Sequence, residues 1–232
     1  MAFRPTFWPT LFTVPALIAL VALGTWQVQR LYWKQDLIDK LTTRSVAPAV
    51  APPAEGAPLE PFEYQHVTVT GTFRHDRELY LINRSLNGNP GLHILTPFVP
   101  ADGGTAILVD RGWVPFDRRD PKNREGGQVA GPVTVDGIVR LEKPPGYFIP
   151  PNEPQNNTWF SVDTAAMGEK AGMPLRAGYY IVSDEADLPG GFPVGRQWRL
   201  DIRNDHLQYA LTWYSLALAL LVIYILYHRR KA

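Results

Sequence analysis

The sequence predicts a membrane protein in which two transmembrane helices, N- and C-terminal, flank one β-rich α+β extramembrane domain. Three observations carry that expectation. Leu207 to Tyr227 is a run of 21 residues without a charge, which as a helix spans about 31 Å, the hydrocarbon thickness of a bilayer. Pro5 to Gln29 is a second uncharged stretch, bounded by Arg4 and Arg30. Yet mean hydropathy over the 232 residues is only -0.15, so a large polar portion lies between the two. The chain's 19 glycines and 22 prolines together exceed the roughly 12% of average usage and point to many turns and short strands there.

The terminal runs come first. A single Asp or Arg at the centre of a membrane helix costs about 3 kcal/mol on the insertion scale, so uncharged runs of this length are informative. The C-terminal run ends in His228-Arg229-Arg230-Lys231, a basic tail that reads as a cytoplasmic anchor. In the N-terminal run the apolar core Leu11 to Leu23 is followed by Gly24-Thr25-Trp26-Gln27, with Trp26 placed as an interfacial ring. No small-residue cleavage pattern directly follows that core, and the first Ala-x-Ala (Ala47, Ala49) lies far downstream, so an uncleaved anchor is expected. Both termini are then cytoplasmic and the long middle is translocated. Because one helix exits where the other enters, Trp26 and Gln27 should lie near the same membrane face as His206.

Between the helices the chain divides by composition. Leu31 to Thr43 continues the first helix past the membrane. Ala47 to Pro61 holds five prolines and reads as an extended spacer. The expected divisions are an N-terminal anchor (1–29), a juxtamembrane segment and Pro-rich linker (30–61), a β-rich periplasmic-type domain (62–203), and the C-terminal helix with its tail (204–232). In the domain, His66 to Phe73 alternates strictly, with Val67, Val69 and Phe73 on one face. Glu78–Asn83, His93–Val99, Thr105–Val114, Pro132–Leu141, Ala177–Ser183 and Gln197–Ile202 are further strand candidates, separated by turn clusters such as Asn87-Gly88-Asn89-Pro90-Gly91. One helix fits Asp163 to Ala171, capped by Ser161 or Asp163 and ended by Gly172.

Chemistry is sparse. A net charge of +1 without a basic, aromatic-interleaved block argues against nucleic acid as a partner. The absence of cysteine excludes disulfides, thiolate catalysis and Cys-ligated metal centres. No His-Glu-x-x-His, Gly-x-Ser-x-Gly or phosphate-cradling glycine loop occurs, so no enzyme is expected. Of the five histidines, His66 and His93 sit in strands, His75 in a turn, and His228 in the basic tail. His206 stands apart. It opens the C-terminal apolar run, and on a helix Tyr209, Ala210 and Trp213 share its face. Such a stripe, an imidazole beside a small residue and two rings, could seat a flat macrocycle with its iron on His206. The competing reading is an imidazole that caps the helix or snorkels within an ordinary aromatic belt, and the residues alone favour that one. Asp110-Arg111-Gly112-Trp113 reads as a buried turn with Arg111 paired to a carboxylate. The other option is that Arg111, Arg84 or Arg30 faces a propionate.

Five stretches, in order, resemble one family. They are Leu23-Gly24-Thr25-Trp26-Gln27-Val28-Gln29-Arg30-Leu31-Tyr32-Trp33-Lys34; Thr96-Pro97-Phe98; Val109-Asp110-Arg111-Gly112-Trp113-Val114-Pro115; Pro151-Asn152 with Asn157-Thr158-Trp159-Phe160; and Arg203-Asn204-Asp205-His206-Leu207-Gln208-Tyr209 with Thr212-Trp213-Tyr214. Together they resemble the surfeit-locus-one family of cytochrome c oxidase assembly factors. The resemblance implies a non-enzymatic role in the bacterial inner membrane: binding haem a, with His206 as the iron ligand beside Tyr209 and Trp213, and assisting its insertion into the oxidase catalytic subunit. The implied partners are that subunit, the haem a synthase and the lipid bilayer. The alternative it leaves open is a membrane-tethered interaction chaperone that steadies assembly intermediates without handling haem.

Overall fold

The computed structural model describes residues 5–185, 188–198 and 204–230. The chain forms two compact units, Met1–Leu41 with Asp201–Ala232, and Thr42–Leu200.

The first unit holds α3 (His206–Arg230) and all but the last turn of α1 (Phe7–Ser45), and both helices are long and apolar enough to cross a membrane. At 1.5 Å per residue α1 is about 58 Å long, nearly twice a bilayer core, so the polar segment from Leu31 onward does continue the same helix. The two helices run antiparallel, with Gln27 meeting His206 at one end and Thr6 meeting His228 at the other. Small residues make the approach possible. A Cβ on Gly24 would lie 2.7 Å from the Tyr214 ring. Ala210 and Ala217 are 2% and 7% exposed, while most of the helices' large apolar side chains remain exposed, as lipid-facing surfaces do.

The second unit is a β domain. It comprises β1 (His66–Phe73), β2 (Leu79–Leu86), β3 (Asn89–Pro100), β4 (Ile107–Pro115), β5 (Pro132–Leu141), β6 (Thr158–Trp159), α2 (Thr164–Ala171) and β7 (Tyr179–Ser183). β1 and β5 have the bounds expected from the sequence, β1 by its strict alternation and β5 as a strand candidate. β3 carries β4 along one edge; its other edge is shared by β2 and, at its end, by β1. Because β1 also pairs with β5, β5 with β7 and β7 with β4, the five strands β3-β1-β5-β7-β4 close on themselves. Val67, Phe73, Phe98, Ile107, Val109, Val135, Val139, Tyr179 and Ile181 fill the interior, with every strand of the ring contributing. β2 and the short β6 extend the sheet beyond the ring. There Leu79, Leu81, Leu95, Leu108 and Trp159 meet Met167 of α2. The Asp163 carboxylate caps α2 by accepting from the Ala166 N–H at 2.9 Å, and Gly172 ends it, as their positions in the sequence require.

Four expectations need correction. The Pro-rich stretch is no plain spacer. Val50 bonds to the β1 backbone through its N–H (3.1 Å) and its carbonyl (3.0 Å), and the Pro53 carbonyl accepts from Arg176 and from the Tyr179 hydroxyl. Leu59 and Phe62 pack against the ring's core. Prolines remove donors but leave carbonyls, so such a segment can still seal a sheet edge. The turn after β2 is only Asn87-Gly88, both at positive φ (51° and 81°), the two-residue hairpin geometry. Asn89-Pro90-Gly91 already belongs to β3. Asp110-Arg111-Gly112-Trp113 is not a turn but lies inside β4. Of the last expected strand, Gln197 and Trp198 form a turn and residues 199–202 lie outside the described ones, as does Arg203.

Candidate functional site

His206 is the first residue of α3, where the Asp205 carbonyl accepts from the Tyr209 N–H at 3.2 Å. Its ring is half-buried, and its Nδ1 lies 2.7 Å from the Gln27 Oε1. An amide oxygen can only accept, so Nδ1 is the donor in this contact, and in the neutral ring the lone pair then lies on Nε2. A metal-binding imidazole needs that tautomer, with its second nitrogen donating to a fixed acceptor.

Helical geometry explains how the predicted stripe is distributed. At about 100° per residue, Ala210 and Ala217 lie about 40° and 20° to one side of His206, and Trp213 and Tyr209 about 20° and 60° to the other. Exposure follows that order: the alanines are buried, His206 and Trp213 half-buried, and Tyr209 is 55% exposed. His206 therefore stands at the rim of the buried strip, with Tyr209 on the outer flank. Close by on α1, the Arg30 guanidinium lies over the rings of Trp26 and Trp33, at 5.8 and 5.2 Å from their centroids.

The opposite end of the pair mirrors this arrangement. His228, expected in the basic tail, is 0% exposed. Its Nε2 lies 3.1 Å from the Thr6 backbone nitrogen and 2.9 Å from the Thr6 hydroxyl, and its Nδ1 2.8 Å from the Tyr224 carbonyl. The Tyr224 hydroxyl in turn meets Thr10 Oγ1 at 2.5 Å. Both ring nitrogens of His228 are thus engaged, which makes it a clasp rather than a ligand. Its burial was legible: it follows Ala217 by eleven residues and Ala210 by eighteen, and both spacings return to one face.

In the β domain the charged motif residues converge on Glu78. Arg124 grips its carboxylate with both terminal nitrogens, one bond being 2.9 Å long. Arg111 approaches at 3.8 Å and stacks over Phe73, 4.8 Å from the ring centroid. Asn157 donates to the Glu78 carbonyl at 2.8 Å and accepts from the Trp159 indole at 2.9 Å. Burial works against charge on Glu78, but the hydrogen bonds from Arg124 and His75, with the charges of Arg124 and Arg111, hold its carboxyl below the ordinary 4.5. Burial lowers Arg111 to about 10 despite Glu78. Gly112, at φ 118°, forms the bulge that inserts two residues of β4 opposite Ile94. A Cβ there would strike the Val194 carbonyl at 2.0 Å. The bulge takes the Asp110 carboxylate to the Gly112 N–H at 3.0 Å and to His93 at 2.8 Å. These buried contacts hold the domain together. Arg111 is committed to them, while Arg84 is half-buried on β2 and Arg30 is exposed beside its two tryptophans. Sequence reading missed Glu78 and Arg124, which no spacing connects to Arg111.

A pair of apolar helices joined through two histidines, together with a closed β domain built on a buried ion-pair core, is the architecture of a membrane-anchored protein, and its rim imidazole is the candidate ligand. The SURF1 family model matches residues 14–218. Surfeit locus protein 1 of Mus musculus is 40% identical over 225 residues, covering 90% of this chain and 71% of its own. That of Homo sapiens is 38% identical over 218 residues, covering 87% and 71%. The SURF1-like protein of Monosiga brevicollis is 36% identical over 235 residues, covering 97% and 88%. The chain belongs to the SURF1 family.

Proposed function

We propose that this protein is a non-enzymatic assembly factor for haem–copper cytochrome c oxidase, which binds haem a through His206 and assists its insertion into the catalytic subunit. The observation that carries the reading is the 2.7 Å bond from His206 Nδ1 to Gln27, which leaves Nε2 as the free ligating atom. The donor set suits a macrocycle better than a bare ion. Among the described residues no group of three or more His, Asp or Glu side chains could enclose a metal, whereas haem iron asks the protein for only one or two axial ligands. Trp213 and Tyr209 supply aromatic surface on the same flank for the ring. Bound haem a would supply the redox-active iron that the oxidase needs, and the chain's part is to hold it by one imidazole weakly enough to release it. The donor and recipient implied are the haem a synthase and the oxidase catalytic subunit. The setting is the bacterial inner membrane, with both termini cytoplasmic and the β domain periplasmic.

The test is the absorption spectrum of the detergent-purified protein from cells that make haem a. A stoichiometric haem a signal is expected. Protein free of haem that still raises oxidase yield would instead identify an interaction chaperone that steadies an assembly intermediate.

A further inference from the structure

Among the described residues of the β domain, the most exposed large apolar side chains lie together at one tip. In the loop that follows β5, Tyr147 and Phe148 are 96% and 93% exposed, with Ile149 beside them at 43%. The two rings pack edge to face, their centroids 5.1 Å apart, so they form one protruding tip. Residues 144–152 read Pro-Pro-Gly-Tyr-Phe-Ile-Pro-Pro-Asn and contain no charge. We propose that this tip is a membrane-dipping finger that inserts into the interfacial layer of a lipid bilayer.

Three arguments lead to lipid. The first is desolvation. Backbone N–H groups resist entering an apolar layer because each must give up a water hydrogen bond. Pro144, Pro145, Pro150 and Pro151 have none to lose, and the Ile149 N–H is already satisfied by the Gly146 carbonyl at 2.9 Å. The absence of charge in the tip removes the largest remaining penalty. The second is order. Prolines on both sides restrict the loop, and the aromatic side chains have few rotamers to lose, so little conformational entropy opposes insertion. Tyrosine, apolar in body and polar at its tip, is the residue type that bilayer interfaces collect. The third is area. Two aromatic side chains and an isoleucine offer on the order of 500 Å², short of the roughly 800 Å² each partner contributes to a standard protein interface. A domain already tethered by two membrane helices meets the bilayer at high effective concentration, so a small apolar contact suffices.

The chain has no cysteine, so Gly146→Cys creates a unique labelling site. A side chain is tolerated there, because a Cβ would meet only Ile149, at 3.7 and 3.8 Å. The full chain labelled with NBD at this position is placed in phosphatidylcholine nanodiscs, with and without lipids bearing a nitroxide at acyl position 5. The finger predicts blue-shifted emission that loses about half or more of its intensity to the nitroxide, since interfacial insertion reaches about 5–10 Å deep. Adding Tyr147→Ser and Phe148→Ser to the labelled chain should abolish both effects and leave the unfolding midpoint unchanged, because neither side chain is buried. A fully hydrated, unquenched probe in plain bilayers would overturn the proposal. So would quenching that survives the double serine change, or an apolar shift that arises only when an oxidase subunit is added.

Discussion

Gln27 and His206 sit 179 residues apart in sequence and 2.7 Å apart in space, one on each of the two membrane helices. Each residue has its position because of the other helix. The small residues Gly24 and Ala210, three and four positions away, let the helices approach, and the amide oxygen then selects which ring nitrogen is protonated. Under the proposed function, that contact is what aims His206 as a ligand.

The first prediction follows from it. Gln27→Leu removes the acceptor and frees the imidazole to rotate or change tautomer, so haem a per protein should fall by about 10- to 100-fold in affinity. Gln27→Glu keeps an acceptor and makes it anionic, which raises the basicity of the imidazole. Its haem should be retained with the midpoint potential shifted negative relative to wild type. Redox titration of the purified proteins checks both outcomes, and an unshifted potential in Gln27→Glu would show that the contact only packs the helices.

Glu78 governs a different property. Replacing it by Gln leaves Arg124 and Arg111 buried with no carboxylate, which should destabilise the β domain by about 3–5 kcal/mol. Chemical denaturation of the full chain in detergent measures this. The pH dependence has a definite sign. The carboxyl titrates lower in the folded domain than the ordinary 4.5, so its stabilisation is complete above that value and is lost as pH falls through the lower folded value. Wild type should therefore lose stability steeply below about pH 4.5, and Glu78→Gln should lack that portion of the acid slope.

Much of the fold was legible because its signals are local. The strict alternation of His66 to Phe73 and the Asp163 and Gly172 caps marked element bounds directly. The two charge-free runs marked the membrane helices. What escaped was long-range. The pairing of Gly71 to Phe73 with the end of β3, which closes the ring, leaves no periodic trace, and a two-residue strand such as Thr158–Trp159 is too short to show a period. The Pro-rich segment was misread because proline density signals extension but not what the carbonyls will meet. At the candidate site the sequence pointed to His206, and a shared membrane level pointed to Gln27. The hydrogen bond between them and the engaged state of His228 needed the packed helices. Glu78 was read only as the start of a strand, because buried ion pairs are matched in space and not in spacing.

Orientation can be tested without haem. The basic tail predicts a cytoplasmic C-terminus with the β domain on the far side. Alkaline phosphatase fused within residues 47–61 should be active, and the same enzyme fused after Ala232 should not. The reverse pattern would place the domain in the cytoplasm and contradict the proposed orientation.

The most direct test of the central claim is haem a per protein, by pyridine haemochrome, for wild type and His206→Ala expressed alongside the haem a synthesis enzymes. Alanine is a strong helix former, so insertion and expression should be unaffected. The account predicts near-stoichiometric haem a in wild type and its loss, or strong reduction, in His206→Ala, with Trp213→Ala losing less because it removes ring packing and not ligation. An unchanged haem ratio in His206→Ala would contradict it.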